Sequence, residues 1–353
     1  MTVDELMTKV KSEMTGDVQT DIHYINALAE KMKREDNAAE LCSALADYAY
    51  TILPDKQKKY MYEATFVRDM RMDKAFHEAM TMLENGKLDD AEQLLFEISE
   101  VIRVHFEESE RKFFSFRNPF EFHLYQHFYP NSKECERAPF DFAHYLTMYG
   151  YVLLEKHELV KAAKTVERGI RFNPVCADFR FELAEICKMG GDPNTLLRVN
   201  QDTLRVCTTA DRIARTLCNM GYFCNMIGDL QSAAVFYFES IRFMPSKAVE
   251  FELQDVVRHI NSIGEKFNPP TQGQILDTYQ KYGLQPPPND EVVELALTLA
   301  KSASEYGRPE LEGLFYRVAY DLTNEPKFKE AIDRVDAKLG YQAAENLKNG
   351  VQE

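Results

Sequence analysis

The chain has 353 residues, 45% of them hydrophobic, with 23 Phe and 18 Tyr, which is too much apolar material for wholesale disorder. Its 15 Gly and 14 Pro are few for this length and favour long helices with short connections over a strand-and-turn protein. A formal net charge of −15 disfavours nucleic acid and anionic membrane as partners, because both would be repelled.

Other composition signals point the same way. The densest basic stretch, DKQKKYMYEATFVRDMR at 55–71, carries acids of its own. The seven cysteines include no C-x-x-C pair, so neither a disulfide framework nor a zinc knuckle is indicated. The amino terminus has no apolar signal core, and no run approaches the ~18 apolar residues that span a bilayer. A cytoplasmic protein is expected.

In chain order, residues 1–71 read as a helical cap, with DIHYINALAEKMKR and NAAELCSALADYAYTIL ending at Pro54. They offer no basic recognition helix for DNA. Residues 72–104 read as a helical hairpin: Ala75, Ala79 and Met82 on the first helix, then Gly86, Ala91 and Leu95. Residues 105–142 break the pattern with many aromatics beside Pro119, Pro130 and Pro139. A segment this long is disordered or functional, and the aromatic load argues against disorder. It either anchors a partner or packs on its own array, and the second reading is favoured because large exposed aromatic patches are rare.

The most informative region is 143–248. Shifting the chain by 71 residues superposes nine identities: Gly150/Gly221, Tyr151/Tyr222, Leu159/Leu230, Ala162/Ala233, Ala163/Ala234, Ile170/Ile241, Arg171/Arg242, Phe172/Phe243 and Pro174/Pro245. Leu146, Tyr149, Gly150 and Leu153 fall on one helical face. A mid-helix glycine costs about 1 kcal/mol against alanine, which makes sense where a second helix crosses closely. Ala162 and Ala163 are small enough for that approach, and Pro174 ends the second helix. Downstream, VEFELQDVVRHINSIGEKF gives a further helix within 249–290, followed by breaks at NPPTQG and LQPPPND. Asn289 or Asp290 would cap the next helix. Residues 291–353 read as closing helices, in which Gly307, Tyr316 and Ala319 keep the hairpin spacing.

The pattern Leu146, Gly150, Leu153, Ala162, Val166, Gly169, Pro174, returning as Leu217, Gly221, Cys224, Ala233, Tyr237, Ser240, Pro245, resembles the tetratricopeptide repeat (TPR). The family's usual tryptophan is replaced by leucine. An offset of 71 equals two 34-residue units plus about three residues, so the units run 143–176, 177–213 and 214–247. The middle one has Leu196 where alanine is usual. The resemblance implies an all-α solenoid of helical hairpins carrying the aromatic-rich insertion. It also implies a groove lined by first helices, with Phe76, Met80, His144, Thr147, Tyr151, Phe181, Glu185, Arg215, Cys218, Tyr222 and Asn225 exposed there. Arg215 and Asn219 stand where some members hold a peptide's terminal carboxylate, but Thr147 and Tyr151 replace the matching lysine and asparagine. The candidate partner-binding residues are therefore Tyr151, Thr147, Phe181, Arg215, Asn219, Tyr222 and Asn225. Tyr151 and Tyr222 are either ligand-facing or shared packing.

No catalytic signature, cofactor motif or metal site is indicated. His123 and His127 share a helical face but lack the H-E-x-x-H pattern. The acidic runs HFEESE and LENGKLDDAE suit helix starts, and MGGDPN lacks a phosphate loop's lysine. The expectation is a non-enzymatic interaction module that binds another protein or peptide. A regulatory sensor of a small peptide, or an enzyme with its site in 105–142, are the alternatives.

Overall fold

The computed structural model describes residues 2–33, 35, 37–130 and 135–349, with side chains to 340; positions 131–134 of the insertion and 350–353 of the closing segment lie outside the described residues. It divides into two compact units, residues 1–75 and 76–353.

In the first unit, α1 (Val3–Ser12), α2 (Val18–Met32) and α3 (Ala38–Ile52) enclose Leu6, Val10, Ile25, Leu28, Met32, Leu41 and Leu45. Thr2 and Glu5 form a capping box on α1, and the Asp17 carboxylate caps α2 by accepting from the Thr20 amide, which satisfies donors a helix start leaves free. As expected, α3 stops before Pro54. A fourth helix then starts at once, α4 (Asp55–Thr65), and leads into the short antiparallel pair β1 (Phe66–Val67) and β2 (Met70–Arg71). Arg71 donates to Ser43 and Asp47 and so ties that hairpin to α3.

The second unit is a succession of helical hairpins. They are α5 (Met72–Glu84, which starts in the first unit) with α6 (Leu88–Ile102), α8 (Phe142–Glu155) with α9 (Leu159–Phe172), α10 (Ala177–Gly190) with α11 (Pro193–Val206), and α12 (Ala210–Met226) with α13 (Leu230–Phe243). Then come α14 (Lys247–Ser262), α15 (Gln272–Lys281), the hairpin α16 (Asp290–Glu305) and α17 (Pro309–Thr323), and α18 (Pro326–Asn349). This is an all-α, TPR-like array, and the expected close approach is present. A Cβ built on Gly150 would lie 2.3 Å from Val166 Cγ2, and one on Gly169 would lie 2.9 Å from the Ala143 carbonyl. In the copy 71 residues later, a Cβ on Gly221 would lie 2.7 Å from the Tyr237 ring. There Ser240 replaces Gly169, and its hydroxyl donates to the Ala214 carbonyl at 2.7 Å. One contact point is thus closed by absence of a side chain in one hairpin and by a hydrogen bond in the other. His157 stands where the copy has Gly228, and both adopt left-handed backbone at the hairpin turn.

The insertion is not purely irregular. A π-helical turn (Arg103–Glu107) leads to β3 (Lys112–Phe114), then α7 (Pro119–Phe128), then β4 (Cys135–Arg137), which pairs parallel with β3. It packs on its own array: the Ser115 amide donates to the Phe172 carbonyl at 2.8 Å, and Phe120, Leu124 and Tyr125 are buried. The closing hairpin then returns to the insertion. Phe315 of α17 packs against Phe120 and His123, and His127 Nε2 meets Glu291 of α16 at 3.0 Å. The two histidines are occupied by these contacts.

Asp229 couples successive elements. It caps α13 at Ser232 and receives Lys281 Nζ at 2.6 Å and the Tyr282 hydroxyl. Burial alone would raise its carboxyl, but these donors outweigh burial and hold it down at about 2. The folded pKa lies below the ordinary carboxylate value, so this group stabilises the fold above about pH 4 and stops doing so as pH falls towards 2. Asp229→Asn should therefore lower stability by about 1 kcal/mol at pH 7, solvent screening included, with the difference from wild type closing by pH 2–3 in urea titrations. Gly169→Ala should lower stability by about 1–3 kcal/mol because the Ala143 backbone cannot yield cheaply; a urea midpoint at or above wild type would show that the approach is not tight.

Candidate functional site

The first helices α8, α10 and α12 lie side by side and present one continuous face. Two stripes meet on it. Asp178, Glu182 and Glu185 recur at spacings of four and three along α10, so they share a side of that helix. Arg212, Arg215 and Asn219 do the same along α12. The seam between them is a ladder of paired groups. At its start Arg212 grips Asp178 with two hydrogen bonds of 2.9 Å, and Arg117 of the insertion approaches the same carboxylate at 3.6 Å. Burial alone would raise Asp178; the bond to Arg212 and the neighbouring guanidinium charges hold it below the usual carboxylate range.

One turn on, the Arg215 guanidinium lies 4.4 Å over the Phe181 ring, a cation–π contact, and reaches Glu185 only at 3.9 Å. Its side chain is 47% exposed. Glu182 stands beside it with its carboxyl pushed up by burial. At the far end Lys188 Nζ donates to Glu185 at 2.8 Å and to Asn219 Oδ1 at 2.7 Å, and sits 5.2 Å over the Tyr222 ring. Burial pushes the Cys218 thiol up, so this face supplies no ready thiolate.

The sequence-derived residues separate into two groups. Tyr151 (41%) and Tyr222 (37%) are exposed, as are Arg215 and Asn225. Thr147, Phe181 and Asn219 were expected to line an open groove, but they are buried. The Thr147 hydroxyl turns back to the Ala143 carbonyl at 2.8 Å, the usual resort of a buried helical threonine. Phe181 lies under Arg215, and Asn219 under Lys188. Phe76, also expected on the face, is buried by stacking on Tyr145 at 4.1 Å. Tyr151 and Tyr222 are held apart, on helices with α10 between them.

Lys188, Glu182, Asp178 and Arg212 were missed from the sequence. Their signal was present: an acidic stripe at helical spacing one repeat ahead of a basic stripe at the same spacing.

Asn219 Nδ2 is buried without a hydrogen-bond partner among the described residues, which offsets the benefit of its bond to Lys188. Asn219→Ala should therefore cost no more than about 1 kcal/mol despite the residue's burial. A loss well above that in urea unfolding would mean that the amide is fully satisfied in solution.

No protein-family model matches the chain, and no curated protein matches it. Solved structures match the chain over most of its length, at TM-scores below 0.5. PilF of Pseudomonas aeruginosa is 11% identical, with 76% of this chain and 97% of that one covered, at a TM-score of 0.38. The C-terminal part of a TPR repeat-containing protein from Cytophaga hutchinsonii is 12% identical, covering 94% and 98%, at 0.37. A TPR protein from Parabacteroides merdae is 13% identical, covering 94% and 98%, at 0.32. Likeness at this level says nothing about a partner. No helix among the described residues is long and apolar enough to cross a membrane.

Proposed function

We propose, with the TPR-like array as premise, that this protein is a non-enzymatic interaction module whose first-helix face binds an extended segment of another protein. The observation that carries this reading is the pair Tyr151 and Tyr222. They occupy equivalent places in two repeats, and both keep more than a third of their surface exposed, although every neighbour on the same helices that the array needs for packing is buried. Tyrosine is a favourable anchor because it offers a large rigid ring with a polar tip and few rotatable bonds to immobilise.

Between the two rings the polar groups are largely paired with one another, so they orient a partner more than they attract one. Arg215 is the exception: half-exposed and only loosely tied to Glu185, it is the cation available to an acidic residue on the bound segment. Nucleic acid and anionic membrane fit this face poorly, because α10 lines it with carboxylates.

Affinity capture followed by mass spectrometry tests the reading. Combining Tyr151→Ala with Tyr222→Ala should reduce recovery of the bound protein about tenfold or more while the chain stays folded, checked by circular dichroism, since both side chains are more than a third exposed. Val160→Ala, which alters a more exposed residue of α9, should leave recovery unchanged. Equal recovery with wild type and the double variant would rule out this face.

A further inference from the structure

A second recess lies in the insertion and adjoins the start of the α10 ladder through Arg117. β3, α7 and β4 surround a cavity of about 310 Å³ whose walls include Phe114, Phe116, Phe122, Pro119, Arg117 and Arg137. The rings form a pre-built apolar lining. Phe114 and Phe116 stack at 5.0 Å with 10° between their planes, and Phe122 meets Phe116 edge-on at 6.1 Å. Phe114 and Arg137 are register partners in the parallel pair, so the guanidinium stands on the same side of the strands as the ring.

The two arginines differ in how committed they are. Arg117 is already engaged, over the Phe179 ring at 4.5 Å and near Asp141 and Asp178 at 3.3 and 3.6 Å. Arg137 is exposed, and among the described residues no ion pair or side-chain hydrogen bond engages it. The nearest acid in sequence, Glu136, is held by Arg111 at 3.2 Å. An unpaired guanidinium beside three rings, on a chain of net charge −15, is a local reversal of charge that suits a bidentate carboxylate. The outer side of β4 pairs with no further strand among the described residues, which leaves an edge where an extended chain can lie.

We propose that this pocket takes the carboxy-terminal residue of a partner polypeptide. The apolar side chain enters between Phe114, Phe116 and Phe122, the terminal carboxylate pairs with the Arg137 guanidinium, and the preceding residues run along β4. The edge strand is what selects a chain end over a free small acid. The site stands whether or not the first-helix face binds anything.

Fluorescence anisotropy with a fluorescein-labelled Gly-Ser-Gly-Ser-Phe peptide tests it on the full chain. The free acid should bind saturably, and the same peptide with a C-terminal amide should bind about tenfold more weakly, the loss expected for a charge-assisted pair. Arg137→Ala should weaken the acid about tenfold and the amide hardly at all; the side chain is exposed, so the fold is spared. Phe122→Ala, with its circular dichroism and melting checked, should weaken both. The double change at Tyr151 and Tyr222 should weaken neither, which keeps the two sites distinguishable. Equal binding of acid and amide, no saturable binding of the acid, or indifference to Arg137→Ala would overturn the proposal. Binding of N-acetylphenylalanine as tight as that of the peptide would overturn its assignment to a chain end.

Discussion

The second unit depends on helices approaching until no methyl group fits between them. α8 and α9 are 14 residues each, too short to be stable alone in water, so each must bury its apolar side against a neighbour. Gly150 against Val166 and Gly169 against the Ala143 carbonyl set how near they come. The later copy keeps the geometry but changes its chemistry, using the Tyr237 ring over Gly221 and a serine hydroxyl on the Ala214 carbonyl. A serine is acceptable there because its oxygen meets an acceptor as a donor, where a methyl would meet it as a clash. The conserved quantity between the two hairpins is the distance of approach, and the residues are two ways of meeting it.

That approach places first helices beside one another, and the surface chemistry follows. α10 faces α12 with carboxylates and α12 answers with guanidinium groups and an amide, so the charges neutralise along the seam. Partly exposed pairs of this kind contribute little to stability one at a time. Their larger consequence is positional: Arg215 is held flat on Phe181, Lys188 is drawn over Asn219, and the tyrosines on either side of α10 are left outward. The burial of Thr147, Phe181 and Asn219 has the same origin, since the seam closes over residues that an open groove would show.

The insertion solves a different problem. Several of its aromatic residues interrupt the repeat yet remain covered, because Phe106 and Phe172 meet Phe142 at the start of α8 and α7 offers Phe120 to Phe315. The array therefore does more than run on as a tandem stack. α7 is a second platform on which the closing hairpin docks, joining residues nearly two hundred positions apart within the same unit. The side holding Phe116, Phe122 and Arg137 keeps an open recess.

Local pattern was enough for the class of fold, the stop before Pro54 and the tyrosines at equivalent places. Apart from the proline stop, these are written in spacings of three, four and 71 residues, which a helix converts directly into faces. The docking of α16 and α17 on α7, the short strands within the insertion, and the burial of Thr147, Phe181 and Asn219 were decided only in three dimensions. Which of two outward-pointing residues is covered depends on the neighbouring helix that arrives over it, and contacts between segments so far apart leave no period in the chain. Sequence determined how each hairpin closes on itself; tertiary packing determined which of its polar and aromatic groups are left for something else to touch.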